Sequence, residues 1–193
     1  LAGEMNTCAW AFAVTGEERY ADYARQYLIG YAMRYTQYPY HSANMGKRDD
    51  EPKISGGHVM EQTLSEASWA LGVCEAYDLV RSASVWSEAD HQKVREGLFV
   101  PLYHNIEKYK AGKSNWQTYH NAAMFHIGAV VGDVVMMKGA LEDVENGFYR
   151  QMDISVLPGG MWYENSWGYH FYPLEAVRRT TEAARRLGID LYW

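Results

Sequence analysis

Apolar residues recur three and four positions apart along most of the chain, which is the period of an amphipathic helix. Between residues 59 and 80, one apolar stripe consists of Leu64, Ala67, Leu71, Cys74 and Tyr77. The same spacing predicts seven helices, over residues 1–14, 17–35, 59–80, 87–109, 114–137, 141–154 and 172–187. No stretch shows the strict alternation of a half-buried strand, so the pattern predicts an all-α fold.

Turn-forming residues separate the predicted helices. The polar stretch over residues 36–58 contains two prolines and the Gly56-Gly57 pair, and loops of this length are usually functional or mobile. Pro101 predicts a kink or break in the fourth helix. Consecutive helices joined by turns usually pair antiparallel. We therefore expect residues 1–193 to form part of a single domain, either an incomplete α/α toroid or an ordinary helical bundle.

Composition and charge limit the ligands. The chain has 193 residues, 48% of them hydrophobic, and a formal net charge of -6, which is typical of a folded domain. It has no long basic run to bind nucleic acid and no apolar stretch long enough to span a membrane. Cys8 and Cys74 are expected to be small core residues. Three basic pairs are candidate contacts for an acidic polymer, although each is also typical of a solvent-exposed loop or helix face. These pairs are Lys47-Arg48, Arg178-Arg179 and Arg185-Arg186.

The first segment suited to chemistry covers residues 114–123, which read Ser-Asn-Trp-Gln-Thr-Tyr-His-Asn-Ala-Ala. Its polar residues stand where a helix begins, and the free backbone N–H groups and dipole of a helix start favour a bound carboxylate. Any one of these residues could instead be a helix cap or a buried side chain with its hydrogen bonds made. Their occurrence together favours a functional role for the segment. The candidates are Asn115, Trp116, Gln117, His120 and Asn121.

The second segment covers residues 159–172, which read Gly-Gly-Met-Trp-Tyr-Glu-Asn-Ser-Trp-Gly-Tyr-His-Phe-Tyr. Six aromatic residues, a glutamate and a histidine follow the glycine pair, and we expect much of this stretch to be a loop. A cleft that binds sugar rings explains it better than a core does, with an interface to another domain as the competing explanation. The candidates are Trp162, Glu164, Tyr169, His170 and Tyr172.

Together the two segments resemble the heparinase II/III-like lyases, a superfamily that includes oligoalginate lyases and heparin or heparan lyases. The resemblance extends to the predicted helix that ends in Ala76-Tyr77-Asp78, and so covers most of the chain. The resemblance implies an incomplete α/α toroid, followed in the family by a β-sandwich domain. We expect this sequence to supply only part of the toroid, without the sandwich and without the histidine that the sandwich contributes to the site.

The resemblance also implies residue roles. Tyr169 corresponds to the catalytic tyrosine, with Tyr172 as the nearby alternative. The residue that neutralises the substrate carboxylate is Asn115 or His120, because relatives often have Asn-His where this chain has Asn115-Trp116. The implied reaction is β-elimination in a 4-linked uronate polymer, either alginate or a glycosaminoglycan.

The residue types suit this elimination. Removing the C5 proton beside a carboxylate creates additional negative charge, which amide or imidazole donors would stabilise. Tyrosine can protonate the departing O4 and can act as the base for one uronate epimer, and a histidine would be the base for the other. Two rivals remain: a glycoside hydrolase that uses Glu164 with Asp153 or Glu66, and a non-catalytic carbohydrate-binding or interaction domain.

The chemistry requires no cofactor in this segment, and no residues have convincing metal-ligand spacing. The expected partners are an acidic polysaccharide or oligosaccharide and the β-sandwich domain of the same protein, without nucleic acid or membrane. A periplasmic or secreted location is expected over a cytoplasmic one.

Overall fold

A computed structural model describes residues 2–42 and 55–192, which divide into two compact units, residues 1–106 and 107–193. The described residues are helical, apart from turns, loops and two isolated β-bridges. The predicted all-α class is therefore confirmed, whereas the closure of the helices into a toroid stays a prediction. The predicted basic pair Lys47-Arg48 lies outside the described residues.

The elements of the first unit are α1 (Ala2–Thr15), α2 (Glu18–Ala32), a 3-10 turn (Tyr35–Gln37), α3 (Thr63–Val80), α4 (Glu88–Val94), a π-helical segment (Arg95–Phe99) and α5 (Val100–Glu107). Helix α1 packs against α2 and α3, and α2 also contacts α4. Small and aliphatic residues of α2, among them Ala21, Ala24 and Leu28, are fully buried, which lets the helices approach closely.

The predicted start of the third helix at Val59 was wrong. Helix α3 begins at Thr63, because the backbone N–H groups of Val59 and Met60 donate to the side-chain carboxylate of Glu66. Because the carboxylate accepts from these N–H groups, the residues before Thr63 form a loop around it instead of a further helical turn. The loop predicted to end at His58 therefore continues to Gln62.

Of the kink or break predicted at Pro101, the break was wrong and the kink stays a prediction. Pro101 lies in the first turn of α5 without interrupting it, and the π-helical segment Arg95–Phe99 directly precedes that helix. A proline without an N–H is tolerated where a wider turn has already altered the hydrogen-bond register. At the start of α4, Ser87 and Asp90 form a capping box.

The helices of the second unit are α6 (Asn115–Val131), α7 (Val134–Glu142), α8 (Phe148–Ser155) and α9 (Trp167–Arg186). Helix α6 is the central element and contacts each of the other three. Helix α6 buries every residue from Asn115 to Phe125 except Trp116. The first predicted chemical segment thus begins inside the packed part of this unit.

Three predicted boundaries in this unit were wrong. The sixth helix begins at Phe148 rather than Leu141, because the Asp143 carboxylate accepts from the backbone N–H groups of Glu145 and Asn146 and forms a turn there. The fifth helix ends at Val131 rather than Met137, because Gly132 adopts a left-handed conformation (φ 72°) and Asp133 caps a new helix. The last helix begins at Trp167 rather than Tyr172, capped by the Ser166 hydroxyl. Tyr169, His170 and Tyr172 therefore lie on the first turns of a helix and not in a loop.

Three further properties concern only the part of the chain that the structure describes. No helix there is long and apolar enough to cross a membrane. No group of three or more His, Cys, Asp or Glu residues there could hold a metal ion. Cys74 is buried and Cys8 is half-buried, and both are free thiols, in keeping with the core role expected for the former.

Candidate active site

The start of α6 places Asn115 in a buried position. The Ser114 hydroxyl caps the helix by accepting from the backbone N–H of Trp116 (3.2 Å). Asn115 is the first helical residue, and only 5% of its surface is exposed. Trp116 is half-buried. The helix start thus presents an amide side chain in a shielded environment, where hydrogen bonds are stronger than in water.

The Asn115 amide holds the carboxylate of Glu164, forty-nine positions further along the chain. Asn115 Nδ2 lies 3.0 Å from Glu164 Oε1 and 2.9 Å from Oε2. The indole Nε1–H of Trp162, itself buried, donates to Oε2 at 2.6 Å. Two neutral donors therefore fix one acidic side chain, and we call Asn115, Trp162 and Glu164 the amide–carboxylate cluster.

The geometry leaves part of the Asn115 amide unused. The two oxygens of a carboxylate are close neighbours, whereas the two N–H bonds of an amide diverge widely. One N–H therefore serves both Glu164 oxygens, and the other makes no hydrogen bond with the described residues. The carboxylate also dictates the amide orientation, because the reverse orientation would set Oδ1 of Asn115 against two acceptor oxygens.

The loop that carries Glu164 is fixed at both ends. Val156 and Trp162 form a β-bridge, and the backbone N–H of Tyr163 donates to the carbonyl of Ser155 at the end of α8. The Tyr163 hydroxyl donates to the carbonyl of Lys113 at 2.6 Å, just before α6. This loop therefore ties the end of α8 to the start of α6, and it sets the position of Glu164.

Gln117 and Asn121 support the same region from inside. Gln117 accepts from the backbone N–H of Ala111 and donates to Asn121 Oδ1, both at 2.8 Å. Asn121 in turn donates to the carbonyl of Asn146 at 2.7 Å. Both residues are buried, and these bonds hold the turn before α6. Their predicted role in substrate binding stays a prediction.

His120 lies one turn deeper in α6 and is 1% exposed. Its Nδ1 is 3.1 Å from the carbonyl of Tyr109, so the neutral ring donates from Nδ1 and carries a lone pair on Nε2. Nε2 is buried without a hydrogen-bond partner among the described residues. Burial lowers the pKa of His120 to about 4, because charging a desolvated ring is unfavourable.

Tyr169 and Tyr172 stand on the first turns of α9, which packs against α6. Tyr169 is half exposed, and its hydroxyl makes no hydrogen bond with the described residues. The Tyr172 ring stacks on Tyr119 with centroids 4.5 Å apart. Burial, reinforced by Tyr172, raises the pKa of Tyr119 to about 12, so Tyr119 stays protonated. Nδ1 of His170 accepts from the backbone N–H of Trp162 at 3.3 Å.

The structure therefore brings together only part of the predicted site. Asn115, Trp162 and Glu164 are in direct contact, and His170 contacts the same loop. The direct bond between Asn115 and Glu164 was not predicted from the sequence, since side chains so far apart in the chain leave no local signal. The catalytic roles of Tyr169, His120 and Asn115 stay predictions.

Neither further carboxylate that a hydrolase would need lies in this cluster. Asp153 is exposed and pairs with Arg150 at 2.9 Å. Glu66 is fully buried in the first unit, where Tyr35 and backbone N–H groups surround its oxygens. The pair of carboxylates that glycoside hydrolysis requires therefore finds no support among these residues.

The described residues thus combine an all-helical fold with an aromatic loop held against the start of α6. The alginate lyase family model matches residues 2–193, and the chain belongs to that family. It is 28% identical over 173 residues to an alginate lyase of Stenotrophomonas maltophilia (strain K279a), covering 84% of this chain and 22% of that protein. It is 25% identical over 178 residues to an exo-oligoalginate lyase of Saccharophagus degradans (strain 2-40), covering 88% and 23%.

These comparisons confirm the resemblance at the level of the lyase family. The chain spans less than a quarter of the length of these two curated relatives. Both relatives are named for alginate substrates, so the heparin and heparan lyase branch of the resemblance stays a prediction.

Proposed function

We propose that this chain is the helical part of a polysaccharide lyase that cleaves 4-linked uronates by β-elimination, with alginate or its oligosaccharides as the substrate. The family match over residues 2–193 is the observation that carries this proposal. The names of the relatives favour alginate over glycosaminoglycans. The β-sandwich domain implied by the resemblance would complete the site in the parent protein, which we propose acts in the periplasm or outside the cell.

In this mechanism Asn115 neutralises the substrate carboxylate. Its unused N–H can donate to a carboxylate oxygen and stabilise the charge that develops when the C5 proton leaves. His120 is the weaker candidate, because its Nδ1 proton is directed at Tyr109 and the neutral ring has no proton on Nε2. The geometry thus favours Asn115, a choice that the sequence left open.

Tyr169 supplies the acid that protonates the departing O4, and the base for one uronate epimer. Tyr169 is half exposed and its hydroxyl has no partner among the described residues, whereas the less exposed Tyr172 ring is stacked on Tyr119. For the other epimer the base is a histidine, either His120 after a local opening or the one supplied by the sandwich. No step requires a redox or nucleotide cofactor.

Product chemistry tests the proposal. The full-length parent protein is incubated with alginate, oligoalginates and heparin, and ultraviolet absorbance records any new carbon–carbon double bond. We expect unsaturated products from alginate substrates. Saturated products would instead establish a hydrolase, and binding without cleavage would establish a non-catalytic domain.

Substitution of the phenol tests its role. Tyr169→Phe removes one oxygen, and we expect it to abolish turnover while substrate affinity is retained. Tyr23→Phe is the matched control, since Tyr23 is a similarly exposed phenol in the first unit. Full activity of Tyr169→Phe together with loss of activity in Tyr172→Phe would transfer the role to Tyr172.

A further inference from the structure

A second group of polar side chains surrounds the Glu66 carboxylate in the first unit. Glu66 is completely buried in α3. Its Oε1 accepts from the Tyr35 hydroxyl at 2.7 Å and from the backbone N–H of His58 at 3.1 Å. Its Oε2 accepts from the backbone N–H groups of Val59 (3.3 Å) and Met60 (2.7 Å). A buried carboxylate is costly unless it is well paired, and here four donors compensate it.

The preceding glycine pair is required for this packing. A Cβ added at Gly57 would lie 2.6 Å from the carboxyl carbon of Glu66, and one at Gly56 would lie 2.3 Å from the carbonyl oxygen of His41. Asn105 of α5 donates to the carbonyl of Gly56 at 3.4 Å. The backbone that leads into His58 is therefore fixed from several sides.

The His58 side chain is oriented as firmly as its backbone. Its Nδ1 lies 2.8 Å from the carbonyl of Tyr38, which fixes the proton of the neutral ring on Nδ1. The ring lies 5.0 Å from that of Tyr35 and meets the Tyr40 ring edge-on at 5.9 Å. His58 is only half-buried, and its Nε2 has no partner among the described residues. Because Tyr35 is completely buried, the aromatic surface beside this pre-oriented acceptor is the half-buried Tyr40 ring.

We propose that His58 binds the substrate, its Nε2 accepting a hydrogen bond from a sugar hydroxyl, and that Glu66 is the positioning residue that holds it. Sugar-binding sites combine aromatic surfaces with a few accurately placed polar groups, and a buried supporting residue keeps such a group in place. This inference rests on the proposed function, since it assigns a further residue to the same class of substrate.

The test measures binding separately from turnover. Alginate oligosaccharides are titrated calorimetrically into the full-length protein with Tyr169→Phe, which we expect to bind without cleavage. Adding His58→Ala should weaken affinity at least tenfold, whereas His58→Gln, which can place an amide oxygen near the position of Nε2, should recover most of it. His104→Ala is the control, because His104 is an exposed histidine of the same unit.

The outcomes separate this inference from the proposed function. If adding His58→Ala leaves the affinity within twofold of that of the Tyr169→Phe protein, the role of His58 is overturned. A complete lack of oligosaccharide binding by the Tyr169→Phe protein would overturn it as well. Whether the wild-type protein forms unsaturated products is a separate result that bears on the lyase proposal alone. A weakened affinity with no unsaturated product would support His58 while removing the lyase assignment.

The positioning role of Glu66 has its own readout. Glu66→Gln replaces one acceptor oxygen by an amide, so it cannot satisfy the same backbone N–H groups. We expect weaker affinity and a change in the His58 imidazole signals in nitrogen-15 NMR spectra, even where the melting temperature shows that the protein is folded. Unchanged affinity and unchanged imidazole signals in a folded Glu66→Gln protein would exclude this role.

Discussion

The buried imidazole of His120 makes a quantitative prediction about stability. Its pKa falls from 6.5 in the unfolded chain to about 4 in the folded protein. Between these values the unfolded chain binds a proton that the folded protein does not. The free energy of unfolding therefore rises with pH in this window: the contribution is fully present above pH 6.5 and is lost as pH falls towards 4.

The size of the effect follows from proton linkage. With these two pKa values, lowering the pH from 7 to 5 should cost about 2 kcal/mol of stability through His120 alone. The partially exposed Glu175 carboxylate has a pKa of about 2, lowered mainly by its bond to Arg178, so its contribution is lost only at lower pH. The interval from pH 7 to 5 therefore lies above the range in which the Glu175 contribution is lost.

The assay compares urea unfolding of the wild-type protein with that of His120→Asn at several pH values from 7 to 5. The asparagine amide can replace Nδ1 as a donor to the Tyr109 carbonyl but does not titrate. The variant is expected to be less stable throughout, and the decisive quantity is the difference in slope against pH. Parallel pH profiles for the two proteins would refute the reasoning, since they would mean that His120 keeps an ordinary pKa. His104→Gln controls for an exposed histidine.

Three further predictions concern single positions. Gly57→Ala should lower the free energy of unfolding by roughly 1–3 kcal/mol, because its Cβ would overlap the Glu66 carboxyl group; an unchanged urea midpoint would contradict that packing. Gly132→Ala should cost about 1 kcal/mol in the same assay, because φ is 72° there, and an increase in stability would argue against the left-handed conformation. Ser87→Ala should cost about 1 kcal/mol through loss of the capping box with Asp90; Ser87→Thr is the control, and equal loss in both would exclude the cap.

Local periodicity predicted the helices well where the determining contacts were themselves local. The apolar stripe of α3 was sufficient to predict most of that helix, because its residues lie within a few positions of one another. The break at Gly132 carried a recognisable signal, a glycine followed by a capping aspartate, that the apolar pattern on either side concealed. The early start of α9 was hidden in a similar way by an aromatic run typical of a loop.

The errors and omissions around the site have a different cause. Residues 59–62 leave the helix because of a carboxylate that approaches them from the next turns of the chain, and periodicity does not reveal such a contact. The bond between Asn115 and Glu164 depends on the packing of the loop after α8 against α6. Sequence reasoning therefore identified both residues as candidates, through composition and resemblance, but it could not say that they touch.

The β-bridge between His41 and Gly57 also bears on how this protein can be altered. The backbone groups of these two residues exchange hydrogen bonds of 3.0 and 3.1 Å, and the Ser42 hydroxyl donates to the carbonyl of Ser55. These contacts hold residues 41 and 42 against residues 55 and 57, so the two ends of the intervening sequence are fixed to each other by the first unit. The paired ends are therefore the points between which an engineer could exchange sequence without altering the backbone contacts on either side of them.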